Sequence, residues 1–113
     1  MTPVGASSPG LAFVLATIAE YGEDGWMDFW ADLHDGGVRV ESSWSTAYYE
    51  TFTRYGGDRP LVLSYASSPP AEAIFADPPV DEAPTGVMTE GCYRQVEYAG
   101  ILAGTDYLDA AGQ

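Results

Sequence analysis

The segment from Leu61 to Pro70 constrains the fold of this chain more than any other part of the sequence. Three apolar residues follow Arg59-Pro60, a turn rich in hydroxyl groups comes next, and a Ser-Pro-Pro sequence then starts a helix. This order predicts a buried strand of an α/β sheet followed by a helix. Ligands collect at the carboxyl ends of strands in open α/β sheets, and Tyr65 follows this strand. The segment therefore predicts one edge of a binding site for a flat or cationic small molecule.

The charge of the chain limits its partners. The sequence has seventeen acidic residues, four arginines and no lysine, so the formal net charge of the 113 residues is −13. Phosphate contacts need cationic side chains, and we therefore expect neither nucleic acid nor an anionic membrane as a partner. Such a surface attracts cations, including positively charged organic ligands. An ordinary acidic surface exposed to solvent explains the same charge without any ligand.

The periodicity of apolar residues predicts helices interleaved with short strands, which indicates an α/β layer fold. Ser8 and Pro9 are typical of a helix start, and the Gly36-Gly37 pair is typical of a helix end. The predicted helices span residues 9–21, 25–34, 44–54 and 68–75, and the predicted strands span residues 38–40, 61–63, 86–88 and 93–98. Residues 105–113 predict the first turns of a further helix.

Several short motifs in this order resemble the thiamine-binding branch of bacterial ABC-transporter substrate-binding proteins. They are Ser7-Ser8-Pro9-Gly10-Leu11, Tyr21-Gly22-Glu23-Asp24, Trp44-Ser45-Thr46-Ala47-Tyr48, the stretch Leu61 to Pro69, and Tyr93-Arg94-Gln95-Val96-Glu97. The order and spacing match over nearly the whole chain, although each motif alone is only moderately specific. The family's pattern has Asp-Pro-x-Thr before the Ser-x-Pro-Gly helix start, and here Pro3-Val4-Gly5-Ala6 stands in its place.

The resemblance implies a truncated three-layer αβα lobe of the periplasmic binding protein type 2 fold. Residues 1–113 would form a single domain, the second lobe of a two-lobe protein, with residues 92–113 providing a crossover strand and the start of a first-lobe helix. Expected partners are thiamine or a thiamine phosphate, the missing first lobe and an ABC permease, and homodimerisation of the chain is a further expectation. The intact protein would be periplasmic, or lipid-anchored at the cell surface. The sequence shows neither a signal peptide nor a run of roughly 20 apolar residues.

By resemblance, Ser7, Trp44 and Tyr65 occupy ligand-contacting positions, and Ser67 and Ser68 lie beside them. The residue types suit this role, because tryptophan and tyrosine faces attract aromatic cations by about 0.5–2 kcal/mol. A helix N-terminus beside Ser7 can receive a hydroxyl or phosphate oxygen. Simpler interpretations remain: Ser7, Ser67 and Ser68 as helix caps, and Trp44 as a core residue.

The residues leave three alternatives open. Tyr48-Tyr49 could bind ferric ion, provided the helix is broken there, since successive helical residues do not share a face. Cys92 could be the nucleophile of a thiamine-degrading enzyme, but its only cationic neighbour is Arg94, so the sequence predicts no catalytic residue. A free-standing interaction module is the third. One histidine, His34, and one cysteine exclude the usual zinc sites, and no cofactor is expected.

Overall fold

A helical hairpin forms the N-terminal part of the computed structural model, which describes residues 1–3, 5 and 7–113. Helix α1 spans Ser8–Asp35, but Gly22 inside it has non-helical backbone angles of φ 72° and ψ 179°. In an unbroken helix Phe13 and Phe29 would lie about 24 Å apart along the axis. Their ring centroids are instead 6.4 Å apart, so the chain folds back on itself at Gly22.

The two arms of α1, residues 8–21 and 23–35, pack through aromatic side chains. Phe13 contacts Trp30 edge-on at 5.6 Å, and Tyr21 stacks on Phe29 at 4.7 Å. The Trp30 indole donates to the hydroxyl of buried Thr17 at 2.9 Å. The sequence prediction of two helices over residues 9–21 and 25–34 is thus confirmed.

A short helical region follows in the middle of the chain. Helix α2 spans Trp44–Thr46 and continues as a π-helical turn over Ala47–Thr51, then a 3₁₀ turn over Thr53–Tyr55. The loop after it returns against the π turn, where an added Cβ on Gly57 would lie 2.0 Å from the Thr51 carbonyl oxygen. This close backbone approach requires glycine, because no side chain fits there.

Two more helices follow in the described part of the chain. Helix α3 spans Ser68–Ile74, with Pro69 in its first turn, and helix α4 spans Leu108–Ala111. The proline-initiated helix predicted over residues 68–75 is therefore confirmed. The helix expected at residues 105–113 is reduced to one turn.

The predicted α/β fold is wrong, and so is the three-layer αβα lobe of the periplasmic binding protein type 2 fold. Within the residues that the structure describes, the only β-type pairing outside helices is an isolated parallel bridge between Phe52 and Arg59. A strand needs a neighbour to bond its backbone, and among the described residues the predicted strands at 61–63, 86–88 and 93–98 find none. Leu61, the first residue of the expected buried strand, is 73% exposed. The 93–98 segment, where a crossover strand was expected, contains Tyr98 at 93% exposure and no strand.

The N-terminal segment makes a partial exception near the predicted strand at residues 38–40. The Met1 amino group donates to the Arg39 carbonyl at 2.6 Å, and the Glu41 amide donates to the Met1 carbonyl at 2.8 Å. The pairing stops there because Pro3 has no amide hydrogen to extend it. Val4 and Ala6, which belong to the altered Pro3–Ala6 segment, lie outside the described residues.

The buried core lies in the α2 and π-turn region. Ala47 and Tyr48 are the buried apolar residues of the described part of the chain, and Thr2, Thr17 and Thr51 are buried polar residues. The radius of gyration is 17.4 Å. A compact domain of this length would have a radius of about 13 Å. The chain is thus less compact than such a domain. In agreement with this, most apolar side chains of residues 87–108 are exposed to solvent.

Candidate functional site

The strongest candidate site is the Trp44 cluster, defined here as Trp44, Tyr48, Tyr49, Tyr65, Ser64 and Ser68. It joins the start of α2 to the turn before α3. The Ser43 hydroxyl caps α2 by accepting from the Thr46 amide at 3.1 Å, while Ser43 itself has extended backbone angles. This cap makes Trp44 the first helical residue.

Three aromatic rings, those of Tyr48, Tyr49 and Tyr65, pack around Trp44. Tyr48 stacks on Trp44 with ring centroids 4.8 Å apart and planes at 20°, as one helical turn between the residues allows. Tyr49 meets Trp44 edge-on at 5.6 Å, and Tyr65 is tilted against it at 6.4 Å. Tyr49 is 50% exposed and Tyr65 41% exposed. The cluster therefore has a packed side at Tyr48 and a solvent-facing aromatic side.

A hydroxyl pair anchors the indole of Trp44. Its Nε1 donates to the Ser64 hydroxyl at 3.2 Å, and the Ser64 and Ser68 hydroxyl oxygens are 2.7 Å apart. Ser68 is the first residue of α3, so this pair connects α2 with α3. Trp44, Ser64 and Ser68 are all half-buried, so these hydrogen bonds are stronger than they would be at an exposed surface.

A buried carboxylate lies behind the packed side of the cluster. The Tyr48 hydroxyl donates to Glu72, whose other carboxylate oxygen accepts from Arg54 Nε at 3.1 Å. The Glu72 side chain is only 6% exposed. Burial, followed by the hydrogen bond to Glu72 and its charge, raises the pKa of Tyr48 to about 12; the nearby Ser68 hydroxyl acts in the opposite direction. Tyr48 therefore keeps its proton at neutral pH.

The structure brings some of the predicted site residues together and leaves others apart. Trp44, Tyr65 and Ser68 belong to the Trp44 cluster. Ser67 is exposed, and its side chain makes no capping bond to α3. Ser7 caps α1: its hydroxyl accepts from the Gly10 amide at 3.1 Å and donates to Thr2 at 2.6 Å. All described hydrogen bonds of the Ser7 side chain thus stay within residues 2–10, in agreement with its interpretation as a cap.

The sequence reasoning missed Ser64, Tyr48 and Glu72 as members of this site or its support. Ser64 stood at the end of a predicted strand, where its side-chain direction could not be inferred. Tyr48 follows Trp44 by four residues, so helical spacing was a usable signal for their contact. Glu72 gave no signal, because its contact with Tyr48 spans 24 residues.

Two further residue sets belong to the alternatives with metal or catalytic chemistry: Tyr48-Tyr49 for ferric ion and Cys92 for a nucleophile. The helix is not broken at Tyr48-Tyr49 but widens there into a π turn, and the two rings meet edge-on at 5.3 Å. Cys92 is an exposed free thiol that donates to the Met88 carbonyl, with no described imidazole beside it. In the part of the chain that the structure describes, no group of three or more His, Cys, Asp or Glu residues is arranged to hold a metal ion.

Comparison with known proteins adds no relative. No protein-family model matches the chain. No curated protein matches it. No solved structure matches it either. Among the described residues, no helix has the length and apolar character needed to cross a membrane.

Proposed function

We propose that the chain forms one wall of a receptor site for thiamine or a thiamine phosphate. The observation that carries the proposal is the meeting of Trp44 and Tyr65, 21 residues apart, with ring centroids at 6.4 Å. The thiazolium ring of thiamine is a flat cation, and such rings bind to tryptophan and tyrosine faces. The excess of negative charge on the chain favours the approach of a cation at low salt.

The wider role follows from the sequence resemblance and is part of the same proposal. The chain would belong to the solute-binding component of an ABC importer, with the facing wall supplied by a first lobe and delivery to a membrane permease. The periplasmic or lipid-anchored location of the intact protein is proposed on the same ground.

Titration of thiamine into the chain, followed by Trp fluorescence and calorimetry, tests the proposal. We expect saturable binding that weakens by about twofold to thirtyfold in Trp44→Leu, the range that corresponds to a lost cation–π contact. Trp26→Leu is the matched control, since Trp26 lies in the second arm of α1. Absence of saturation up to about 10 mM thiamine, equivalent to roughly −2.7 kcal/mol, would contradict the proposed ligand.

Ferric-ion binding is the second candidate, because the π turn brings the Tyr48 and Tyr49 rings together. The raised pKa of Tyr48 opposes it, since a tyrosinate ligand must lose its proton. Addition of ferric ion should therefore produce no tyrosinate-to-iron absorption band near neutral pH. Appearance of that band, and its loss in Tyr48→Phe, would favour the iron site over thiamine.

A further inference from the structure

The hydrogen bonds behind Trp44 have a defined direction. An indole N–H can only donate, so Ser64 is the acceptor in the bond to Trp44. A carboxylate can only accept, so Tyr48 is the donor to Glu72. The Ser64 hydroxyl hydrogen is then free to point at Ser68, whose hydroxyl oxygen lies 2.7 Å away.

Two hydrogen-bonded groups hold the ring of Trp44. The first runs from its nitrogen through Ser64 to Ser68, and hydrogen bonds aligned in one direction strengthen one another. The second fixes Tyr48, which stacks on the Trp44 face and donates to Glu72. Glu72 is itself fixed, because its side chain is 6% exposed and is also bonded to Arg54. The ring is thus held both at its nitrogen and over one face.

We propose that Ser64 is a positioning residue, which holds the Trp44 ring in the orientation that presents its free side toward Tyr49 and Tyr65. Ser64 acts through Trp44 and need not touch the ligand. The consequence for ligand affinity rests on the thiamine-binding function proposed above. The effect on the ring itself does not depend on any ligand.

The test uses the full chain and the indole N–H signals of its three tryptophans in ¹H–¹⁵N NMR spectra, assigned with Trp44→Phe. In Ser64→Ala we expect the Trp44 indole signal to move upfield and to exchange faster with water. The Trp30 indole, bonded to Thr17, should keep its signal and serves as an internal control. Ser64→Thr restores an acceptor and should return the Trp44 signal toward its original position.

Ser45→Ala is the matched control, because Ser45 is exposed and adjacent to Trp44 but makes no described side-chain hydrogen bond. It should leave the Trp44 indole unchanged. Where the wild-type chain binds thiamine, Ser64→Ala should raise the dissociation constant by about twofold to tenfold, as expected for one lost hydrogen bond. Ser64→Thr should recover most of that affinity.

The outcomes separate the two proposals. An unchanged Trp44 indole in Ser64→Ala overturns the positioning role, whatever thiamine does. A changed indole with an unchanged thiamine dissociation constant overturns the link between ring orientation and binding. No thiamine binding by the wild-type chain overturns the proposed ligand, while the indole signals still decide the role of Ser64. If Ser64→Ala fails to fold, Ser64→Cys replaces it, because a thiol is of similar size but a much weaker acceptor, and an unchanged Trp44 indole there also overturns the proposal.

Discussion

The hydrogen bond between Thr17 and Trp30 fixes the register of the two arms of α1. Thr17 is 4% exposed and Trp30 is half-buried, so the bond lies largely away from solvent. Thr17→Val keeps the shape of the side chain and leaves the indole N–H unpaired. We expect a loss of about 1–3 kcal/mol in the free energy of unfolding, measured by urea denaturation. Thr17→Ser retains the hydroxyl and should lose much less, and equal losses in both variants would contradict this role of the bond.

The proton of Tyr48 makes stability depend on pH in the alkaline range. Burial raises the pKa of Tyr48 to about 12 in the folded chain. In the unfolded chain the pKa is about 10, so the unfolded state loses its proton first as the pH rises. The stabilisation is therefore complete below pH 10 and is lost between about pH 10 and 12. Tyr55, whose pKa burial also raises, contributes in the same direction.

Comparison of the wild-type chain with Tyr48→Phe isolates this effect. The free energy of unfolding should fall more steeply between about pH 10 and 12 in the wild-type chain than in the variant. The other tyrosines are common to both proteins, so their contributions cancel in the difference. Parallel pH curves for the two proteins would show that folding does not raise the pKa of Tyr48.

At the level of single residues, the resemblance placed Ser7, Trp44 and Tyr65 at one site, and the structure has Ser7 as the cap of α1 instead. Trp44 and Tyr65 were expected at one site, and the structure places their rings in contact. The aromatic faces of these two residues suit a cationic ligand, and this property can be read from the residue types alone. The anchoring bonds from Ser64 and Glu72 depend on how separate segments meet, since they span 20 and 24 residues. Local spacing contains no information about such contacts.

Gly22 decides whether α1 is a rod or a hairpin. Its φ of 72° with ψ of 179° lies in a region that is essentially restricted to glycine. An added Cβ would meet nothing within 4 Å, so the cost of a side chain here is conformational and not steric contact with neighbours. We expect Gly22→Ala to reduce the free energy of unfolding by about 1–3 kcal/mol.

Gly86→Ala is the control for this prediction, since a Cβ at Gly86 also meets nothing within 4 Å and its φ is not positive. It should change stability much less. In Gly22→Ala the distance between the two arms of α1 should also increase. Fluorescence energy transfer between the arms measures this distance, and the loss of NMR contacts between Phe13 and Phe29 reports the same change. Retention of these contacts at wild-type stability would show that the fold-back does not depend on glycine.

At the level of elements, helices were predicted well and strands were not. The α1 arms and α3 carry local signals: apolar residues at helical spacing, the Ser7 cap, and the prolines that begin each helix. A three-residue apolar run such as Leu61–Leu63 indicates that a segment is suited to a buried strand. It does not show whether a partner strand is present to bond its backbone. Pro60 next to it removes one of the donors that such a pairing would use. The α/β prediction failed for that reason.

The whole molecule combines a small core with a high charge of one sign. Its radius of gyration of 17.4 Å exceeds the roughly 13 Å of a compact domain of this length. The Debye length is about 30 Å at 0.01 M salt, so charges repel one another over more than half of the 52 Å length of the molecule. At 0.1 M it falls to about 10 Å, and only near neighbours still interact. Compactness should therefore respond to salt over this range.

Small-angle X-ray scattering and urea denaturation between about 0.01 and 0.15 M NaCl test this expectation. We expect the radius of gyration to fall and the free energy of unfolding to rise as the self-repulsion of the −13 charge is screened. Asp24, Asp28 and Asp32 repeat every four residues in the second arm of α1, where like charges repel by a few tenths of a kcal/mol per pair. The triple variant Asp24→Asn/Asp28→Asn/Asp32→Asn should therefore respond less to salt than the wild-type chain. A radius and a stability that do not change with salt in either protein would show that charge repulsion does not set the size of this chain, and that its open form follows from its small core alone.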